Sequence, residues 1–298
     1  MLRLIERLLG LTRLTLTEND RAILIRKGRI HAILGAGEHR IRARDMVEAH
    51  RLTEPELTSP FTEALIRERP DLVAEHLTEV RTRAGEVAVV ERDGHLEAVH
   101  GPDARAHYWT VAGPFAVSRH DLADGIAVPE ALGERLARAR LTGLVTEVEV
   151  AEGHAGVMTR GGADPVVLRP GVHRFWAVGP RIAVKAVDLR LRTHEVTGHE
   201  VLTRDRVTIR VNLAADFRVA DPLLAVTAVK DFEEALHRAL GLAFRRTLGG
   251  LTLDALLADK AAVGAEAEAS VRAEMAGIGI EVRAIALKDV VLPGEMRE

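Results

Sequence analysis

Apolar and polar residues alternate at period two in short blocks along the N-terminal half of the chain, at Leu14/Leu16, Ile23/Ile25, Val87/Val89 and Val148/Val150. Successive strand side chains point to opposite faces, so this spacing predicts strands with one buried face. The blocks recur. LTRLTLTENDRAILIRKG (11–28) aligns without gaps on LTEVRTRAGEVAVVERDG (77–94) after a shift of 66, and on VTEVEVAEGHAGVMTRGG (145–162) after a further 68. Thr12, Thr78 and Thr146 fall on one position, as do Arg26, Arg92 and Arg160, and Gly28, Gly94 and Gly162. The glycines stand where a hairpin needs a residue tolerant of positive φ, and Asn19-Asp20 and Ala84-Gly85 mark the opposite turn. His39 and His173 recur after Gly37 and Gly171, which points to a role in the fold such as capping a backbone carbonyl; the middle copy has Asp103 and Arg105 there.

Helical spacing enters between and after these blocks. Pro60–His76 reads as a helix that Pro70 must break or kink, and Pro129–Leu141 as a second with its proline in the first turn. After further strands over Thr193–Val219, the chain turns α-rich from Pro222 to Ala276. Leu253–Ala276 would make one helix about 36 Å long, with Thr252 as its N-cap and Asp254 in its first turn. Gly277 and Gly279 stop it, and Ile280–Val291 returns as a strand. The expectation is an α+β chain in four parts: an amphipathic segment 1–10, β-rich modules at 11–76 and 77–144, and a final domain 145–298.

Composition narrows the function classes. With 298 residues, 47% hydrophobic, the chain is long enough for two domains or a short array. No apolar run exceeds roughly seven residues, against about 20 for a spanning helix, so no transmembrane segment is expected. Met1–Gly10 alternates Leu with Arg and Glu and has no apolar h-region, so no secretory signal is expected either. The absence of Cys removes disulfides, thiolate chemistry, Cys-type zinc sites and palmitoylation, and fits a reducing compartment. Basic and acidic side chains nearly balance, 41 to 44, and only nine aromatics are available for stacking, so nucleic acid is not an expected partner. The preference for Arg over Lys and the heavy use of Ala, Val, Leu and Gly look like coding bias in a GC-rich bacterial genome.

Several ordered motifs then stand out in the C-terminal half. Glu200–Thr208 (EVLTRDRVT) resembles the EVLTKDxVT run of the SPFH, or band 7, superfamily, nearest its stomatin–slipin branch. Phe217-Arg218-Val219 with Asp221-Pro222 resembles that family's Y-R-V-x-D-P strand end. Leu242–Gly249 resembles its TTLRxxxG helix and Leu251–Leu257 its LTLDELL helix start. Gly279-Ile280-x-Val282 and Lys288-Asp289-Val290-x-Leu292-Pro293 resemble its closing GIxV…KDVxLP. The set spans about half the chain in order. The resemblance implies SPFH1-like modules in tandem before a complete SPFH domain with a long C-terminal helix and closing strand. It implies a non-catalytic, slipin-like scaffold: a homo-oligomer that organises lipid and protein neighbours at a membrane, with an NfeD-like membrane protein or a membrane protease as partner. The expected location is cytoplasmic, peripheral on the inner face of the cell membrane.

The departures from the family are specific. The stomatin hydrophobic hairpin is not found, the palmitoyl anchor lacks its Cys, Lys260 stands where the family has Arg, and five residues follow Pro293 where family members run into a coiled coil. A soluble multi-module adaptor for one protein client is therefore the alternative.

Candidate residues follow from chemistry. Leu4, Ile5, Leu8 and Leu9 at helical spacing beside Arg3 and Arg7 make either an interfacial anchor on anionic lipid or the first copy of the inter-module helix, packed on its own module. The small and acidic residues of Ala261–Glu274 make either a helix–helix seam or a solvated face. The expected oligomer contacts are Arg245, Arg246, Gly264, Glu266, Glu268 and Arg272. His194–His199 (HEVTGH) misses the zincin HExxH because Gly198 holds the second His position, and its β-branched residues read as a strand. Gly35-Ala36-Gly37 lacks the third glycine of a dinucleotide loop. No motif surrounds Ser59, Ser118 or Ser270. No catalytic residue, cofactor or metal is expected.

Overall fold

A computed structural model describes residues 11–258 and 260–292, the side chains at 260–263 excepted. The amphipathic segment 1–10 lies outside the described residues. The chain divides into two units, Met1–Thr146 and Glu147–Glu298.

The first unit opens with β1 (Leu11–Leu16), β2 (Asp20–Arg26), β3 (Arg29–Leu34), β4 (Gly37–Arg42) and β5 (Met46–Arg51). β1 pairs with β4, and β2 is the centre of a β3-β2-β5 sheet. A second set, β6 (Leu77–Arg81), β7 (Glu86–Arg92), β8 (His95–His100), β9 (Arg105–Trp109) and β10 (Phe115–Asp121), pairs in the same order: β6 with β9, and β7 between β8 and β10. The correspondence reaches single residues. Asp20 faces Arg51 across the sheet as Glu86 faces Asp121, and the register slips between Leu24 and Ile25 as it does between Val90 and Glu91. Both β2–β3 and β7–β8 turn through two left-handed residues, Lys27-Gly28 and Asp93-Gly94, the combination that matches the twist of the flanking strands.

Between these sets the expected helix is two, α1 (Thr62–Glu68) and α2 (Pro70–His76). Arg69 leaves helical geometry at φ −134°, ψ 57° because Pro70 restricts the residue before it. Leu65 and Leu72 bring the two helices onto Ile23, Ile25 and Ile33 of the first set and Leu77 and Trp109 of the second. Pro129 caps rather than enters the next helix, α3 (Glu130–Ala139), which ends on a left-handed Arg140.

The boundary falls within β11 (Val145–Val150), and β12 (His154–Arg160), β13 (Val166–Leu168), β14 (Gly171–Trp176) and β15 (Ile182–Asp188) follow in the second unit; β11 pairs with β14, and β12 lies between β13 and β15. Two long strands, β16 (Arg192–Leu202) and β17 (Thr208–Val219), join β18 (Ile280–Val291) in a β16-β17-β18 sheet. Alternate residues of β17 (Ile209, Val211, Leu213, Ala215, Phe217 and Val219) are buried on one face. Against them lie Leu236, Leu240, Phe244 and Leu248 of α5 (Phe232–Gly249) and Ala267, Val271 and Met275 of α7 (Lys260–Ala276). A short α4 (Pro222–Ala228) follows β17, and α6 (Leu253–Ala258) precedes α7, so the described residues of the expected 253–276 helix fall in two elements. The opposite face of β17 is a ladder of polar contacts, with Arg210 on Glu200, Asp216 on Thr193 and Arg218 on Glu281.

Candidate interaction surface

Four of the five motifs of the second unit, all but Leu242–Gly249, are spent on folding. Val207 N–H donates to Thr203 Oγ1 at 3.0 Å, and the Arg204 N–H reaches the Leu251 carbonyl at 2.8 Å. The Asp205 carboxylate accepts from Leu253 N–H at 3.2 Å, the first turn of α6. One motif thus caps the helix of another. Thr203, then the backbone of Leu253, hold the Asp205 carboxyl below the usual carboxylate range. Thr252 is the N-cap that its position implied, with Ala255 N–H 3.3 Å from its hydroxyl. Asp221 caps α4 through Leu224 N–H at 3.0 Å. Gly279, at φ +81°, accepts at its carbonyl from Ala220 N–H (2.9 Å) and Asp221 N–H (3.0 Å). Lys288 of β18 pairs with Glu195 of β16 at 2.5 Å.

The histidines that the sequence singles out make internal contacts as well. His39 and His173 place Nε2 at 2.8 and 2.7 Å from the carbonyls of Gly35 and Arg169. A carbonyl only accepts, so both rings carry the proton on Nε2, and the repeated histidine closes the same turn twice. HEVTGH lies in edge strand β16, where Gly198 (φ +65°) sits in a bulge between Val196 and His199. His194 stands 3.1 Å from His237, and His199 contacts the Gly241 carbonyl at 3.1 Å; burial, the first cause at both, pushes them below the ordinary imidazole range. Among the described residues no group of three His, Asp or Glu could hold a metal ion.

What remains uncommitted is the outer surface of the helices. On α5, Arg238, Leu242 and Arg245 follow at i, i+4 and i+7 and share the face opposite Leu236, Leu240 and Phe244. All three are exposed, Leu242 at 53%, and Arg246 beside them is exposed too. None of Arg238, Arg245 and Arg246 has an ion-pair partner among the described residues, whereas Arg192 of the same unit is taken up by Glu233 at 2.6 Å and lies over the Phe217 ring. On α7, Glu266 and Glu274 are exposed. Glu268 is half-buried and pairs with Arg272, which also donates to the Arg283 carbonyl of β18. Gly264 shares the inward stripe with Ala267 and Val271, yet among the described residues nothing beyond its chain neighbours and its own helix backbone lies within 4 Å of where its Cβ would stand.

The six expected contact residues therefore separate. Glu268 and Arg272 come together and bind α7 to its own sheet, while Arg245 and Arg246 on α5, and Glu266 on α7, point to solvent. Arg238 and Leu242 escaped the sequence reading. The signal available for them was their spacing of four and three with Arg245 on the face away from the leucines. The candidate lipid-facing residues Arg3, Leu4, Ile5, Arg7, Leu8 and Leu9 lie outside the described residues. No described helix is long and apolar enough to cross a membrane.

The family model for the SPFH domain / Band 7 family matches residues 148–298, just over half the chain and nearly the whole second unit. Among curated relatives, an uncharacterized protein of Archaeoglobus fulgidus is 34% identical over 148 residues, half of this chain and 59% of its own length. A stomatin homolog of Pyrococcus horikoshii is 35% identical over 112 residues, 38% of this chain and 42% of that protein. Stomatin-1 of Caenorhabditis elegans is 30% identical over 143 residues, 48% and 43% of the two chains. The chain thus spans about half the length of the relatives it matches. With its motifs and its α+β second unit, the chain belongs to the SPFH domain / Band 7 family, on the stomatin-like branch.

Proposed function

We propose that this protein is a slipin-like, non-catalytic scaffold that self-associates and gathers protein partners at the cytoplasmic face of a membrane. The carrying observation is a contrast within the second unit: the motifs at Glu200–Thr208, Asp221-Pro222, Leu251–Leu257 and Gly279–Val290 are consumed by internal contacts, while Arg245 and Arg246 of the Leu242–Gly249 motif, with Arg238 beside them, have no ion-pair partner among the described residues. Arg238, Arg245 and Arg246 on α5 are opposite in sign to Glu266 and Glu274 on α7. Two different patches that fit each other make a head-to-tail contact, which closes into rings or extends into filaments. Exposed Leu242 amid the arginines supplies apolar area. An NfeD-like membrane protein or a membrane protease is the proposed client. The strand sets of residues 11–121 and 145–188 are proposed to be copies of one SPFH1-like module, since their strands pair in one scheme.

The absence of cysteine makes the test direct. A chain carrying Arg246→Cys is mixed with one carrying Glu266→Cys under mild oxidation. A covalent dimer in the mixture exceeding either chain alone supports the head-to-tail contact; none in the mixture refutes it. The alternative, a soluble adaptor for one protein client, draws on the 11–139 array that the family model leaves unmatched and predicts monomers that do not float with lipid.

A further inference from the structure

The first strand set carries a recess of about 680 Å³ between the β2–β3 turn and the loop after β4, lined by Leu11, Arg26, Lys27, Arg42, Arg44 and Asp45. Its acid is already spent. Asp45, its side chain only 2% exposed, accepts from Arg26 at Nε (3.1 Å) and Nη2 (2.9 Å) and from the Arg42 N–H (3.0 Å). The Arg26 side chain, first of all, holds its carboxyl below the ordinary range. That bond cancels Arg26 against Asp45. Lys27, Arg42 and Arg44 are exposed, and their side chains make no ion pair or hydrogen bond among the described residues. Three like charges around one recess repel each other and favour an anion there.

The fold does not ask for these cations. Arg42 faces Leu11 across β1–β4 as Trp109 faces Leu77 across β6–β9. Trp109 is 1% exposed and buried against Ile23, Ile25, Leu65 and Leu72. At the same register position the first set therefore presents a guanidinium. The matching turn residue of Lys27 is Asp93, and both are left-handed, at φ 48° and 50°. Asp tolerates that backbone better than Lys does, so the first set places a lysine where the backbone favours the residue of the second.

We propose that Lys27, Arg42 and Arg44 form a docking site for the phosphates of anionic phospholipid at a membrane surface, an inference that rests on the membrane-scaffold reading above. Guanidinium forks bind phosphate oxygens in pairs, and lysine adds a mobile point charge. A lipid surface fits better than a soluble phosphate or a nucleic acid. In the sequence just before Leu11, Arg3 and Arg7 stand among Leu4, Ile5, Leu8 and Leu9, the composition of an interfacial segment. The overall charge of −3 and the few aromatics give a nucleic-acid chain little else to hold.

The test is flotation of the full chain with phosphatidylcholine vesicles, with and without 30% phosphatidylglycerol, at about 0.15 M salt. Lys27→Gln/Arg42→Gln/Arg44→Gln is compared with Arg181→Gln/Arg204→Gln/Lys230→Gln, which removes equal charge from exposed positions elsewhere. The single Lys27→Asp substitution restores the residue type of the matching turn and so guards against a folding defect. Flotation that depends on the anionic lipid and falls about 100-fold in partitioning for the first triple variant only, with a smaller loss for Lys27→Asp, supports the site. Equal flotation of wild type and both triple variants overturns the site and leaves the membrane reading standing. A wild-type chain that floats with neither vesicle overturns both. Tighter binding to duplex DNA than to the anionic vesicles, lost in the first triple variant, overturns the lipid assignment.

Discussion

Gly279 holds the second unit together at a point where any side chain collides with backbone, and Gly279→Ala measures how much. A Cβ there would stand 2.5 Å from the Asp221 carbonyl oxygen, 3.1 Å from Ala225 N and 3.2 Å from Asp221 Cβ. None of these is the loose end of a side chain. The residue sits at φ +81°, which costs an L-residue roughly 1 kcal/mol or more. Moving it aside weakens the hydrogen bonds that its carbonyl accepts from Ala220 and Asp221, worth about 1 kcal/mol each. The sum is about 3–4 kcal/mol, within the range seen when a special backbone position is filled. For a unit of this size that lowers Tm by roughly 10 °C. The assay is thermal and urea unfolding of the full chain followed by circular dichroism. Gly264→Ala is the control: it lies inside helix α7 with open space around it, and should gain about 1 kcal/mol. A Gly279→Ala chain as stable as wild type, or a Gly264→Ala chain equally damaged, would refute the reasoning that backbone collision, and not glycine content, sets the cost.

Three further outcomes follow from the geometry. Asp231 caps α5 by accepting from Glu233 and Glu234 N–H at 2.9 and 3.1 Å, so Asp231→Ala should cost about 1 kcal/mol in urea unfolding. His107 is 2% exposed, and its Nε2 has no hydrogen-bond partner among the described residues. Burial, then Arg105, pushes its pKa down against the pull of Glu79 and Glu63, and burial does the same at His50 against Glu48. A depressed imidazole takes up its proton more readily unfolded than folded. Stability from these rings is therefore full above about pH 6.5 and falls as pH drops below it. Tm should decline between pH 7 and 5, less steeply in His107→Leu; identical slopes would exclude this histidine as the cause. Gly264→Ala, stabilising in the single chain, should leave self-association unchanged because its stripe faces the unit's own core; a loss of assembly seen by sedimentation would contradict that.

Much of the fold was legible because local chemistry fixes it. Lys27-Gly28 and Asp93-Gly94 mark two-residue hairpins, Pro70 ends one helix and starts another, and Gly277 to Ile280 marks the return to strand. The repeated histidines were readable as carbonyl caps for the same reason: a turn that recurs brings its cap with it. Strand β9 was not legible. Ala106, His107, Tyr108 and Trp109 are all buried, Trp109 in one cluster and Ala106 and Tyr108 in another, so the strand has no wet face to betray a period of two. The candidate surface was only half legible. Charge on a helix can be read from sequence, but not which charges the neighbouring strands neutralise. Glu268 and Arg272 are spent on each other and on β18, while Arg245 stays free beside Arg238.

The most direct measurement of the central claim is the mass distribution of the full chain at micromolar concentration, by mass photometry or sedimentation, in wild type and in Arg238→Glu/Arg245→Glu/Arg246→Glu. The account predicts assemblies of several copies for the wild type, which the triple reversal returns to single chains while the circular dichroism spectrum stays unchanged. A wild type that is strictly monomeric, with or without anionic vesicles, would contradict it.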